Sequence, residues 1–213
     1  MTAIWGPMGW MTLHSVATCY PERPTQAERD LMHSWLDMFR DTITCAHCRE
    51  HFEKMLQAYR ESFPSMLNSR QDFCLFTFRA HNAVNRRLRK PIQATLAECM
   101  ATLQSNIKTR TAANYRVSYL DHIQKFWRTW QDITGIVALK KIHEMRKIEF
   151  TYLQSRDTNF NVTLVPDVVV LPQDAMEPRD GSGESRGPSI SLPRGQAGIR
   201  GGFRITSAGI RLR

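Results

Sequence analysis

No stretch of this chain before about residue 160 alternates apolar and polar side chains; apolar residues recur instead every three or four positions. A strand sends successive side chains to opposite faces, whereas a helix returns to one face after about 3.6 residues, so the pattern commits the chain to helices. From Ile4 to Tyr20 the residues Trp5, Trp10, Leu13, Val16 and Ala17 follow mostly helical spacing, and Pro21 and Pro24 end that segment. Thr25 to Glu28 has the form of a capping box and opens a second helix with Leu31, Trp35, Leu36 and Phe39 as its buried stripe. A third helix is expected from Cys45 to about Tyr59. A fourth runs from about Ser69 to Arg89, turns Phe73, Phe76, Thr77, Ala80 and Val84 inward, and stops before Pro91. Four helices joined by short turns read as an antiparallel bundle, an all-α fold.

The later chain reads differently. Between Thr111 and Leu153 helical spacing predicts one or two further helices, with Gly135 as the break. Val162 to Leu171 is β-branched and is expected to form one short strand. Eight of the 11 glycines lie between Gly181 and Gly209, mixed with Ser, Pro and Arg, so the end of the chain is expected to be disordered in isolation. The expected organisation is a bundle domain at 1–108, a helical extension at 109–155 and a Gly/Arg-rich, weakly structured tail at 156–213.

With 213 residues there is room for one main core. No run approaches the roughly 20 apolar residues of a membrane-spanning helix, and no membrane partner is expected. The start has neither a basic leader region nor a long apolar one. A net charge of +9 suits an acidic partner without naming it. Five cysteines, an odd number at irregular spacing, do not form a secreted disulfide framework, so their chemistry is local.

Three short motifs carry that chemistry. Cys45-Ala46-His47-Cys48 lies at an expected helix start, where free amide N–H groups and the helix dipole stabilise a thiolate. The pair can cycle between dithiol and disulfide, or open a zinc site with His47 or His51 as a further ligand. A thioredoxin-like domain is disfavoured by the missing strand–helix alternation. Trp5 to His14, W-G-P-M-G-W-M-T-L-H, sets two indoles and an imidazole on one short helix, which by itself is also what an ordinary aromatic-anchored helix looks like. In His81 to Asn85, H-N-A-V-N, the residues His81, Asn82 and Asn85 share a helix side, suited to a planar heteroaromatic edge. Arg86, Arg87, Arg89 and Lys90 follow and suit phosphate, although a polar surface helix would have the same composition.

Taken together and in this order, the motifs resemble the Erv/ALR family of FAD-dependent sulfhydryl oxidases over roughly residues 4–100. The resemblance implies a four-helix bundle with a short fifth helix, noncovalent FAD at the mouth of the bundle, and a homodimer. It implies that Trp5, Gly9, Trp10 and His14, with His81, Asn82, Val84 and Asn85, line the cofactor and that Lys90 approaches its pyrophosphate. Cys48 would face the flavin C4a and Cys45 would meet the substrate. The implied reaction makes disulfides in dithiols, with oxygen as acceptor, hydrogen peroxide as product and no metal. The expected partner is a protein dithiol or a thioredoxin-like relay protein rather than nucleic acid.

Two departures bear on this reading. Family members often carry a C-x16-C disulfide around the H-N-x-V-N motif, whereas Cys74 and Cys99 here enclose 24 residues. Each is displaced outward by about one helical turn, and their pairing is a separate expectation. The only cysteine before the active pair is Cys19, read as a buried inert thiol, and none follows Cys99. The motif begins almost at Met1, as in the oxidases of large DNA viruses, which points to the host cytoplasm or the virion rather than the mitochondrial intermembrane space. The rival reading is a zinc-stabilised basic interaction module built on Cys45, Cys48, His51 and one of Cys74 or Cys99.

Overall fold

The computed structural model describes residues 2–107 and 111–163. Among them are α1 (Thr2–Cys19), α2 (Gln26–Thr42), α3 (Ala46–Ser62), α4 (Arg70–Arg87), α5 (Leu96–Ile107), α6 (Ala112–Trp127) and α7 (Ile133–Ile148), the last running into a π-helical turn at Glu149–Leu153. No strand occurs among the described residues; most of the expected strand at 162–171, and all of the chain beyond, lie outside them. The described residues belong to one compact unit.

Local chemistry sets the helix boundaries. Thr25 Oγ1 accepts the Glu28 N–H at 3.2 Å while Glu28 accepts the Thr25 N–H at 2.9 Å, so the capping box holds the start of α2. Cys45, Ser69, Thr111 and Asp132 cap α3, α4, α6 and α7 through their side chains. At the end of α4, Arg89 takes φ 54°, the Lys90 N–H bonds the Asn85 carbonyl and the Arg89 N–H bonds the Arg86 carbonyl. This is a Schellman closure with arginine in the left-handed position that usually takes glycine.

The helix α5, Leu96–Ile107, buries Leu96, Cys99, Met100 and Leu103. Its place is that of the short fifth helix implied by the resemblance. Gly135 is not the break between the last two helices. The break falls between Trp127 and Ile133, and Gly135 sits in the first turn of α7, where a Cβ would come 2.2 Å from the Trp130 carbonyl oxygen. The close approach, not a turn, requires glycine there.

The extension packs on the bundle. Its helix α6 lies along α1, and α7 lies along α2. Of the apolar residues that give this segment its helical spacing, Trp127, Ile142 and Met145 are buried, but Ile133 is 80% and Ile136 53% exposed. A bidentate pair between Arg116 and Glu149, at 2.7 and 2.9 Å, is sealed beneath the extension, with both residues buried. Cys19 is buried beside it, its sulfur 3.6 Å from Arg116 Nη1, and burial raises the pKa of its thiol.

Candidate active site

A cavity of about 750 Å³ opens at one end of the bundle between α1, α3, α4 and α5. The helix α1 lines it with Trp5, Gly9, Trp10 and His14, and α4 and its closing turn with His81, Val84, Asn85 and Lys90. Cys48 and Phe52 come from α3, and Cys99 and Leu103 from α5. Residues far apart in sequence thus meet because the first and fourth helices pack side by side.

The indole of Trp10 stacks on the imidazole of His81 with ring centroids 4.3 Å apart. Behind them runs a polar chain whose hydrogen directions can be assigned. Thr77 donates its hydroxyl to the Cys74 carbonyl at 2.9 Å, so its oxygen must accept from His14 Nδ1, also at 2.9 Å. A neutral His14 then presents Nε2 as an acceptor to His81 Nδ1–H at 3.0 Å, which leaves His81 Nε2 with a lone pair. Burial lowers the pKa of His14 well below the usual range, helped by His81, and burial with the Lys90 charge brings His81 to about 4. Both rings are neutral near pH 7.

Cys45 and Cys48 are joined as a disulfide, with their Cα atoms 5.2 Å apart. Cys45 is the N-cap of α3, its sulfur accepting the Cys48 N–H at 3.3 Å. Cys48, one turn inside, borders the cavity, and Cys45 does not. The exposed His47 meets His51, which itself borders the cavity, Nε2 to Nε2 at 3.0 Å.

One sequence expectation moves. Asn82 does not line the cavity; its amide donates to the Gln93 carbonyl at 2.8 Å and accepts the Gln93 N–H at 3.2 Å, pinning the turn between α4 and α5. The Cys74–Cys99 bridge is likewise not formed. Both are buried free thiols pushed up to about 12 by burial, and the Cys99 sulfur instead lies 3.9 Å from His14 Nε2. The rival zinc ligands are not gathered either, since Cys45 and Cys48 are bonded to each other and no group of three or more His, Cys, Asp or Glu among the described residues is arranged for a metal.

Arg87, which the sequence offers only as one of four cations suited to phosphate, is singled out by the structure: it is only 6% exposed and lines the cavity, and its Nη1 has no hydrogen-bond partner among the described residues. Burial lowers its pKa, and its charge helps to lower that of His51, three residues beyond Cys48. A buried guanidinium donor beside a cavity is suited to an anion.

The model of the Erv1/Alr family matches residues 7–112, the stretch that builds this cavity. A FAD-linked sulfhydryl oxidase of African swine fever virus is 36% identical over 88 residues, 41% of this chain and 71% of that one. The chain belongs to the Erv1/Alr family. Another relative, the mitochondrial FAD-linked sulfhydryl oxidase ERV1 of Saccharomyces cerevisiae, is 38% identical over 86 residues, 40% of this chain and 43% of that one. A protein of Invertebrate iridescent virus 6 is 35% identical over 92 residues, 42% of this chain and 83% of that one. The chain thus spans less than half of the yeast Erv1/Alr member's length and most of the two viral ones. No solved structure matches it.

Proposed function

We propose that this Erv1/Alr chain is an FAD-dependent thiol oxidase that forms disulfides in dithiol substrates at Cys45–Cys48 and uses oxygen as acceptor, giving hydrogen peroxide. The asymmetry of the pair carries the reading: Cys48 borders the cavity and Cys45 does not. A dithiol can then be handled on one side and a cofactor on the other.

The cavity fits an anionic dinucleotide with a flat ring system. Its volume of about 750 Å³ lies within the usual range for cofactor sites. Trp5, Trp10, Phe52 and Val84 offer flat or apolar walls, Asn85 and the bare His81 Nε2 offer polar contacts, and Lys90 and the unpartnered Arg87 answer negative charge. FAD bound there would supply a two-electron acceptor that oxygen can reoxidise.

The protein's own residues do the rest. A substrate thiolate attacks Cys45 Sγ, making a mixed disulfide and releasing Cys48 as a thiolate. Cys48 is the third residue of α3, where the helix dipole stabilises that charge. The second substrate thiol attacks the substrate sulfur of the mixed disulfide, which completes the substrate disulfide and frees Cys45. The two electrons now held by the Cys45–Cys48 dithiol leave through Cys48 into the cavity. Neutral His14 and His81 keep that wall uncharged.

Cys19, Cys74 and Cys99 are buried, so electrons reach Cys45 from another molecule, a protein dithiol or a thioredoxin-like relay protein. The viral relatives support action in the host cytoplasm or virion. Purified protein should be yellow and consume oxygen with dithiothreitol while making peroxide. A colourless protein carrying one zinc per chain would overturn the proposal.

A further inference from the structure

Nine consecutive residues at the end of the first helix, Thr12 to Tyr20, are buried. A helix packed on one side leaves its opposite face in water, so burial all round requires cover on two sides. One cover is α4, through Thr77 against His14 and Phe73 against Tyr20. The other is the extension. The Tyr119 ring comes within 3.5 Å of where a Cβ on Gly9 would sit, Arg116 reaches Cys19, and the Asn159 N–H donates to the Thr18 carbonyl at 2.9 Å. The end of α2 is closed in the same way. Trp127 Nε1 donates to the Thr42 carbonyl at 2.9 Å, and Lys141 pairs with Asp41.

The family match ends at residue 112, where α6 begins, so the shared part of the chain contains these faces of α1 and α2 without their cover. In the iridescent virus relative, 92 aligned residues are 83% of the whole, and the remainder is too short for two helices of 16 residues each. A chain with these faces and without α6 and α7 would expose them unless another molecule covered them, and a second copy is the partner always at hand. We propose that α6 and α7 are a built-in partner: they occupy the α1–α2 face on which a second copy would otherwise dock, and the working unit of this chain is a monomer. The stretch Phe126, Trp127 and Trp130 is rich in aromatic rings that could serve a dimer seam. Of these, Trp127 is 2% exposed and bonded within the chain.

Light scattering on the full chain with flavin bound, at micromolar concentration, should give the mass of one 24.6 kDa polypeptide with its flavin, unchanged on dilution. Twice that mass, whether through the exposed Ile133 and Ile136 or any other surface, would overturn the proposal. Ile123→Asp should lift α6 from α1, and a soluble Ile123→Asp protein should gain a dimer fraction. If that protein is soluble and remains monomeric, the assignment of the face fails. If it does not fold, the mass of the unaltered chain still decides.

Discussion

The Trp10 indole and the His81 imidazole lie with their planes 7° from parallel, joining α1 to α4 at the mouth of the cavity. Burial in the stack and in the His81–His14–Thr77 chain behind it keeps both imidazoles neutral, which links this end of the bundle to pH.

Unfolded, each histidine titrates near 6.5, whereas folded His81 titrates at about 4 and His14 well below its usual value. As pH falls below 6.5 the unfolded chain takes up protons that the folded chain refuses, so the stability contributed by the neutral pair is complete above 6.5. It declines toward pH 4 and is lost below that. Urea midpoints of the flavin-free protein should fall across this window, and more shallowly for His81→Gln. Equal slopes would contradict the assignment.

Arg87→Met should act in opposite directions on the two forms of the protein. Removing a buried, unpaired cation relieves its desolvation, so the flavin-free variant should melt no lower than the original. Loss of a charge-assisted contact, about 1.5–3 kcal/mol, should weaken FAD binding by roughly 10- to 100-fold in a fluorescence titration. Unchanged affinity would remove Arg87 from the cofactor site.

Glu149→Gln should be among the most damaging single changes outside the cavity. It leaves the Arg116 guanidinium, 2% exposed, without its carboxylate, a loss expected to cost about 3–5 kcal/mol. Chemical denaturation measures it. A cost under about 1 kcal/mol would mean that the pair behaves as a surface ion pair.

The capping box at Thr25, the C-x-x-C pair at a helix start and the two cavity-lining motifs were legible because each is a local pattern with a local cause. Residues whose role depends on what covers them were not. Arg87 reads as one of four cations suited to phosphate until it is seen buried against the cavity. Asn82 shares a helix side with His81, yet the turn to α5 claims its amide. The four-residue inward stripe of α5 is too short to stand out by periodicity. Gly135 signals a break by composition, but an approach to the Trp130 carbonyl explains it, and that contact is invisible in sequence. Cys74 and Cys99 sit at offsets that suggested a bridge, whereas the inward face of α5 turns Cys99 toward His14.

The central claim, that Cys48 is the thiol serving the cofactor and Cys45 the one serving the substrate, is tested most directly by the visible spectra of two variants. Cys45→Ala should leave Cys48 as a thiolate beside oxidised FAD, with a broad long-wavelength charge-transfer band and no turnover of dithiothreitol. Cys48→Ala should show plain flavin absorbance and be equally inactive, because Cys45 does not border the cavity. A band in Cys48→Ala and none in Cys45→Ala, or substantial activity in either variant, would contradict it.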